Sequence, residues 1–127
     1  MPDTLDRVSD WARIALACIR LFNGTVALLA PRLLIRQLGL DLEANAAMVY
    51  PFRMFGIRTI VVGAQLLLPA GEVRANAQRL ALLIHTSDAL TALSAAISGQ
   101  LPRRQGTIAF LISSTNVALA LLARPRS

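Results

Sequence analysis

Cysteine, histidine and acidic residues are all scarce in this chain of 127 residues. A single cysteine, Cys18, excludes an intramolecular disulfide, a Cys-x-x-Cys redox pair and a thiolate metal cluster. With one histidine, His85, and seven acidic residues, the sequence offers no ligand set for zinc or for a di-iron centre. We therefore expect neither a metal nor another cofactor.

Charge of either sign is also in short supply. Charged residues make up 16% of the chain, whereas soluble domains average about 25%. Hydrophobic residues reach 55%, and the mean hydropathy is +0.56. So little polar surface excludes a disordered chain and an ordinary soluble enzyme, and it predicts a protein whose solvent is the lipid bilayer.

Lysine is absent, so all thirteen basic residues are arginines, and the net charge is +6. These arginines are scattered along and between apolar runs, and aromatic residues make up only 5% of the chain. A nucleic-acid-binding protein needs a dense basic surface and aromatic side chains on which bases stack. We expect no nucleic acid as partner, and we expect arginines beside the membrane to contact anionic lipids.

Four apolar segments predict four transmembrane helices, at residues 11–30, 48–68, 80–98 and 105–123. A helix of 20 residues spans about 30 Å, the thickness of the hydrocarbon core. The short connections between the segments predict an all-α fold, an antiparallel four-helix bundle in one domain. A soluble four-helix bundle is the alternative, but the third and fourth segments lack the charged face that it needs.

Pro31 ends the first span, and a short amphipathic segment follows it. Leucines alternate there with Arg32, Arg36 and Gln37, which predicts a helix or turn at the membrane interface. Gly39 then breaks this segment.

The positive-inside rule leans weakly towards both termini in the cytoplasm. One side of the predicted bundle carries five arginines: Arg7, Arg74, Arg79, Arg124 and Arg126. The other side carries four: Arg32, Arg36, Arg103 and Arg104. We therefore expect a multi-pass protein of the inner (plasma) membrane.

Polar residues near the middle of the spans are the most informative ones. Arg20, Arg58 and Asp88 lie near one depth in three spans, and His85 precedes Asp88 on the same helical face. Asn116 occupies the same depth in the fourth span. A lone charge at the bilayer centre costs about 2.5–3.5 kcal/mol or more, so we expect both arginines to face the bundle interior.

Asp88 is the only carboxylate inside a predicted span, so it is the expected partner of either Arg20 or Arg58. Such a pair has two interpretations: a lock that holds the helices in register, or part of a ligand or proton site. One arginine is left without a neutralising acid in either case. An uncompensated buried cation favours an anionic ligand, such as a carboxylate, a phosphate or a lipid headgroup.

Several short motifs resemble those of small actinobacterial four-helix membrane proteins of unknown function, which are DoxX-like in style. A proline–leucine–glycine loop precedes an arginine- and glycine-bearing helix, and an Asp-Ala step follows in the third helix. Here these are Pro31 to Leu34 with Leu38 to Leu40, then Arg53 to Arg58 with Gly63, Leu66 and Leu67, and finally Asp88-Ala89. The resemblance implies this fold and a membrane location. Thr59 departs from it, because that position is often acidic in the family.

Three classes of function fit these residues. The first is an accessory or scaffold subunit that a buried Arg/Asp layer holds together and that associates with other membrane subunits or with itself. The second is a carrier or binding protein for an anionic amphiphile, lipid or small molecule. The third is a small membrane enzyme in which His85 is the base and Asp88 orients it; we expect no catalytic activity.

Overall fold

Five helices make up the described part of the chain in the computed structural model, which describes residues 4–125. They are α1 (Thr4–Leu29), α2 (Pro31–Gln37), α3 (Val49–Leu66), α4 (Glu72–Ser98) and α5 (Arg103–Ala123). A 3₁₀ turn at Ala46–Met48 precedes α3, and residues 4–125 contain no strand. The all-helical prediction is confirmed. Arg126, counted above for membrane orientation, lies outside the described residues.

The short helix α2 begins and ends where the sequence places its breakers. Pro31 is its first residue, where the missing backbone N–H has no intrahelical partner to lose. Ile35 is buried on one side, whereas Arg32 and Arg36 are exposed on the other. This segment is therefore amphipathic, as predicted.

Helix α4 is longer than the predicted span of residues 80–98. It begins at Glu72, whose carboxylate lies in the first turn and interacts favourably with the positive end of the helix dipole. It ends at Gly99, which adopts φ 78°, a left-handed conformation that glycine adopts without strain. Twenty-seven residues extend about 40 Å, so α4 is longer than the hydrocarbon core is thick.

The four long helices pack antiparallel to their sequence neighbours. Helix α1 makes its largest interface with α3, and α4 makes its largest with α5; α1 also packs on α5, and the contact between α3 and α4 is the smallest of these four. The buried cluster at the centre consists mainly of small residues: Leu16, Ala17, Leu66, Ala77, Ala81 and Ala120. Small residues at helix interfaces, where backbones approach closely, are typical of membrane bundles.

Large apolar side chains lie on the outside of the molecule. Leu29, Tyr50 and Ile97 are each exposed by more than 70%, together with many leucines of α4 and α5. A protein in water rarely exposes so much contiguous apolar surface. This inverted distribution matches a bundle that contacts lipid.

Three helices, α1, α4 and α5, are long and apolar enough to cross a membrane. The second predicted span forms α3, which has 18 residues and contains Arg53 and Arg58. These charges lower its apolarity, so α3 is not among the three. Four membrane crossings therefore stay a prediction.

Glycines set the contact between α1 and α3. A Cβ atom added to Gly56 would lie 2.7 Å from the carbonyl oxygen of Gly24 and 2.8 Å from the amide nitrogen of Leu28. A Cβ atom on Gly24 would lie 2.8 Å from the carbonyl oxygen of Gly56. The two backbones touch here, as expected for close-packing glycines, and this contact fixes which side of α3 faces α1.

Candidate functional site: an arginine-lined cleft between helices α3 and α4

Arg20 is a buried cation in the middle of α1. Its residue is 4% exposed, and it shares a face of the helix with the buried residues Leu16, Gly24 and Ala27. The prediction that Arg20 faces the interior is therefore confirmed. Its Nη1 atom lies 2.9 Å from Nε2 of His85 on α4.

The Arg20–His85 contact defines the protonation of the imidazole. A guanidinium only donates hydrogen bonds, so Nε2 of His85 must accept one with its lone pair. The ring is then neutral, and its single proton is on Nδ1. His85 is 5% exposed, and Nδ1 is buried without a hydrogen-bond partner among the described residues.

Asp88 is next to this unpartnered nitrogen, one helical turn further along α4. Its Oδ2 atom lies 3.8 Å from Nδ1 of His85, beyond direct hydrogen-bond distance, so the neutral ring and the carboxylate are neighbours without a bond. The Asp88 side chain is 47% exposed, so it connects the buried imidazole to the outside of the helix pair.

The expected direct Arg–Asp pair is wrong for both arginines. Within residues 4–125, the guanidinium groups of Arg20 and Arg58 have no carboxylate oxygen within 4.0 Å. His85 stands between Arg20 and Asp88, so the buried charge and the acid interact through the imidazole.

Arg58 does not face the bundle interior as predicted; it is exposed, and so is Arg53. The buried face of α3 contains Gly56, Thr59 and Gly63, and the two glycines pack against α1. Arg58 is two residues from Gly56, about 200° around the helix, and so falls off that face. The glycine pattern was the signal in the sequence that fixes this rotation.

Arg58 and Arg20 instead line one cleft, where α3 and α4 make little contact. The cleft has a volume of about 380 Å³, within the range of pockets that hold small molecules. Its lining consists of Arg20, Pro51, Met54, Phe55, Arg58, Thr59 and Ile84. Two guanidinium groups thus border an apolar cavity whose described lining contains no acid.

Asn116, the fifth predicted residue, is 6% exposed on α5. In the described part of the chain, its side chain makes no hydrogen bond to Arg20, Arg58, His85 or Asp88. The structure thus brings Arg20, His85 and Asp88 into one array, places Arg58 on the same cleft as Arg20, and leaves Asn116 outside the hydrogen-bonded group.

Two polar residues that the sequence did not single out cap helix ends. Arg13 donates from Nη1 to the carbonyl oxygen of Leu66, at 2.6 Å, at the last residue of α3. Gln78 donates from Nε2 to the carbonyl oxygen of Ala123, at the last residue of α5. Both satisfy carbonyl groups that a helix C-terminus leaves without partners. Nothing in the sequence shows which helix end lies beside which side chain, so these contacts were not predictable.

Residues 4–125 contain no cluster of three or more His, Cys, Asp or Glu side chains arranged to hold a metal ion. Comparison of the chain with protein-family models, with curated proteins and with solved structures gives no match. The chemistry of the cleft must therefore be argued from its own residues.

Proposed function

We propose that this protein binds an anionic amphiphile in the cleft between α3 and α4. The observation that carries the proposal is the pair of guanidinium groups, Arg20 and Arg58, on an apolar cavity of about 380 Å³ without a lining acid. Cations in a low-dielectric site favour an anion, and the neighbouring Phe55, Met54 and Ile84 suit an alkyl chain. The ligand class is therefore an anionic headgroup with an apolar tail.

The two arginines differ in what they contribute to this site. Arg20 is buried and held by His85, so its position is fixed before a ligand arrives. Arg58 is exposed at the cleft, where its guanidinium can reach a headgroup that enters from the side. Thr59, where the resembled family often has an acid, leaves Arg58 without an internal counter-charge.

Binding of decanesulfonate tests this function, because a sulfonate keeps one negative charge at every working pH. We expect saturable binding to the protein in nanodiscs of zwitterionic lipid, and no binding of decanol or decyltrimethylammonium. Arg58→Gln should weaken decanesulfonate binding at least about tenfold, the equivalent of one lost charged hydrogen bond. Arg124→Gln removes the same charge at an exposed position outside the cleft and should leave binding unchanged.

The anionic headgroup can belong to a single-chain amphiphile or to a bilayer phospholipid, and a second arm separates these sources. In nanodiscs with phosphatidylglycerol, a phospholipid site would show competition, and decanesulfonate would bind more weakly than in zwitterionic discs. A site for single-chain ligands would keep its affinity. Equal binding by wild type and by the Arg58→Gln variant in zwitterionic discs would contradict the proposal.

The accessory-subunit hypothesis also has an observation in its favour. The buried Arg20–His85 hydrogen bond links α1 to α4, as expected of a polar lock between helices. This hypothesis expects a partner subunit or a second copy to co-purify, and it expects no saturable decanesulfonate binding. The enzyme hypothesis is less well supported, because His85 is buried, bonded to Arg20 and absent from the cleft lining.

The proposal includes four crossings of the cytoplasmic membrane with both termini inside the cell. It is supported by the antiparallel packing of α3 with α1, since a helix in that position within a membrane bundle would span as well. The caps made by Arg13 and Gln78 join the helix ends that carry Arg74 and Arg124. A C-terminal green fluorescent protein should fluoresce in cells, whereas a C-terminal alkaline phosphatase should be inactive; the reverse pattern would overturn the orientation.

A further inference from the structure

His85 occupies an unusual position between a cation and an acid. Arg20 from α1 donates to Nε2 at 2.9 Å, and Asp88 on α4 itself lies 3.8 Å from Nδ1. From α3, Arg58 borders the same cleft as Arg20. The charged residues of α5 within the described chain lie only at its ends, at Arg103, Arg104 and Arg124.

An anion at Arg20 would compete with the imidazole. One of the two Nη1 protons of Arg20 is donated to the lone pair of Nε2. A headgroup oxygen that binds this guanidinium from the cleft is a second acceptor beside Nε2, and its charge repels the lone pair. One proton on Nε2 removes the competing acceptor and adds a positive charge behind Arg20.

The other ring nitrogen, Nδ1, lies where a doubly protonated imidazole would be stabilised. Nδ1 of His85 is buried and has no hydrogen-bond partner in the described structure, although it carries the proton of the neutral ring. The carboxylate of Asp88 is the nearest acceptor, and its charge would stabilise an imidazolium. A neutral ring leaves the charge of this carboxylate uncompensated, whereas a doubly protonated ring forms an ion pair with it.

We infer that the cleft binds its anion together with one proton, which His85 takes up on Nε2. The proton comes from water: a bond to Nε2 forms as a bond in hydronium breaks, and the Nδ1–H bond is unchanged. Nη1 of Arg20 then donates to the headgroup instead of Nε2, and the imidazolium behind Arg20 attracts the anion and donates from Nδ1 to Asp88. The net charge of Arg20, Arg58, His85 and Asp88 with their ligand is +1 before and after binding. This inference rests on the proposed function, and it adds the proton as a second ligand.

Calorimetry of decanesulfonate binding in buffers with different ionisation enthalpies measures the proton directly. The sulfonate does not titrate, so any proton taken up must bind to the protein. We expect wild type to take up close to one proton per ligand at a pH where His85 is neutral. Because linkage is reciprocal, its affinity should rise by up to about tenfold for each unit by which the pH falls in that range.

His85→Gln is the matched variant. The glutamine oxygen can still accept from Arg20, so the fold and the anion site are kept, but an amide takes up no proton. We expect this variant to bind decanesulfonate with no proton uptake and with a flat pH profile. Asp88→Asn should reduce the uptake while the anion still binds.

Nitrogen-15 NMR gives an independent readout, because His85 is the only histidine of the chain. In empty protein labelled at histidine, we expect one protonated and one unprotonated ring nitrogen, and two protonated nitrogens once decanesulfonate is bound. Binding by wild type without proton uptake would overturn the inference and leave the proposed function intact. Absence of binding in wild type would overturn both.

Discussion

The α1–α3 and α4–α5 interfaces, which contain small residues, differ from the side of the bundle between α3 and α4. On the first two sides, backbones touch: Gly24 meets Gly56 between α1 and α3, and Gly106 meets Ala96 between α4 and α5. A Cβ atom on Gly106 would lie 2.6 Å from that of Ala96. Between α3 and α4, by contrast, bulky and charged side chains keep the helices apart around a cavity.

In the proposed function, this difference separates the side that stabilises the bundle from the side that binds the anion. Close backbone contact supplies dispersion energy that lipid cannot replace, and small residues alone permit it. Where Phe55, Met54 and Arg58 lie at the helix boundary, such contact is impossible. The proposed site occupies the side that the packing leaves open.

Gly56→Leu should disrupt the close packing of α3 against α1. Its Cβ atom would lie 2.7 Å from a carbonyl oxygen of α1, so the two helices must separate. We expect a loss of about 3 kcal/mol in the free energy of unfolding, or failure to fold. Unfolding in detergent measures this loss.

Gly71→Ala is the control for that substitution. The nearest atom to its added Cβ is 4.0 Å away, and the backbone there is extended, with φ 167°. Its stability should equal that of the wild type. Equal stability of Gly56→Leu and Gly71→Ala would contradict the close contact between α1 and α3.

His85→Leu should cause the next largest loss of stability. It removes the acceptor of the buried Arg20 guanidinium, and an unsatisfied buried polar group costs about 1–3 kcal/mol. His85→Gln keeps an acceptor and should recover most of this loss in the same unfolding measurement. If both variants were as stable as the wild type, the Arg20–His85 bond would contribute nothing to the fold.

Arg13→Gln tests a cap at the end of the tight α1–α3 pair. Loss of the bond to the Leu66 carbonyl should lower the free energy of unfolding by about 1.5 kcal/mol. Arg7→Gln, at an exposed position six residues earlier in α1, is the control and should have little effect. Equal unfolding temperatures of the two variants would show that this cap is not formed.

Arg58→Gln should have the smallest effect on stability, below about 0.5 kcal/mol, because the side chain is exposed and no acid of the described chain pairs with it. This result would sharpen the comparison, since the same variant is expected to lose anion binding. A loss as large as that of His85→Leu would instead identify Arg58 as part of a structural lock.

Much of the fold was predictable from the sequence. The apolar segments indicate long helices, and Pro31 and Gly39 locate the short helix between two of them. Helices α1 and α4 extend beyond the predicted spans, because polar residues such as Glu72 continue a helix beyond its apolar part. Hydropathy detects the segment in the membrane and is silent about these extensions.

The candidate site was only partly predictable. The spacing of His85 and Asp88 places them on one face, and a buried arginine needs a partner, so their grouping with Arg20 follows from the sequence. The order of contacts does not, because it depends on side-chain reach across the bundle. The prediction that Arg58 faces the interior rested on its depth in the span, whereas Gly56 and Gly63 indicate which face of α3 is buried.

The most direct test of anion binding in the cleft is to introduce an acidic side chain into its lining. Thr59 is 4% exposed and lines the cleft beside Arg58, so Thr59→Asp puts a carboxylate where the ligand headgroup is proposed to bind. We expect wild type and the uncharged Thr59→Val variant to bind one decanesulfonate per chain in zwitterionic nanodiscs, and Thr59→Asp to bind none while remaining folded. Undiminished binding by folded Thr59→Asp would show that the anion site is not in this cleft.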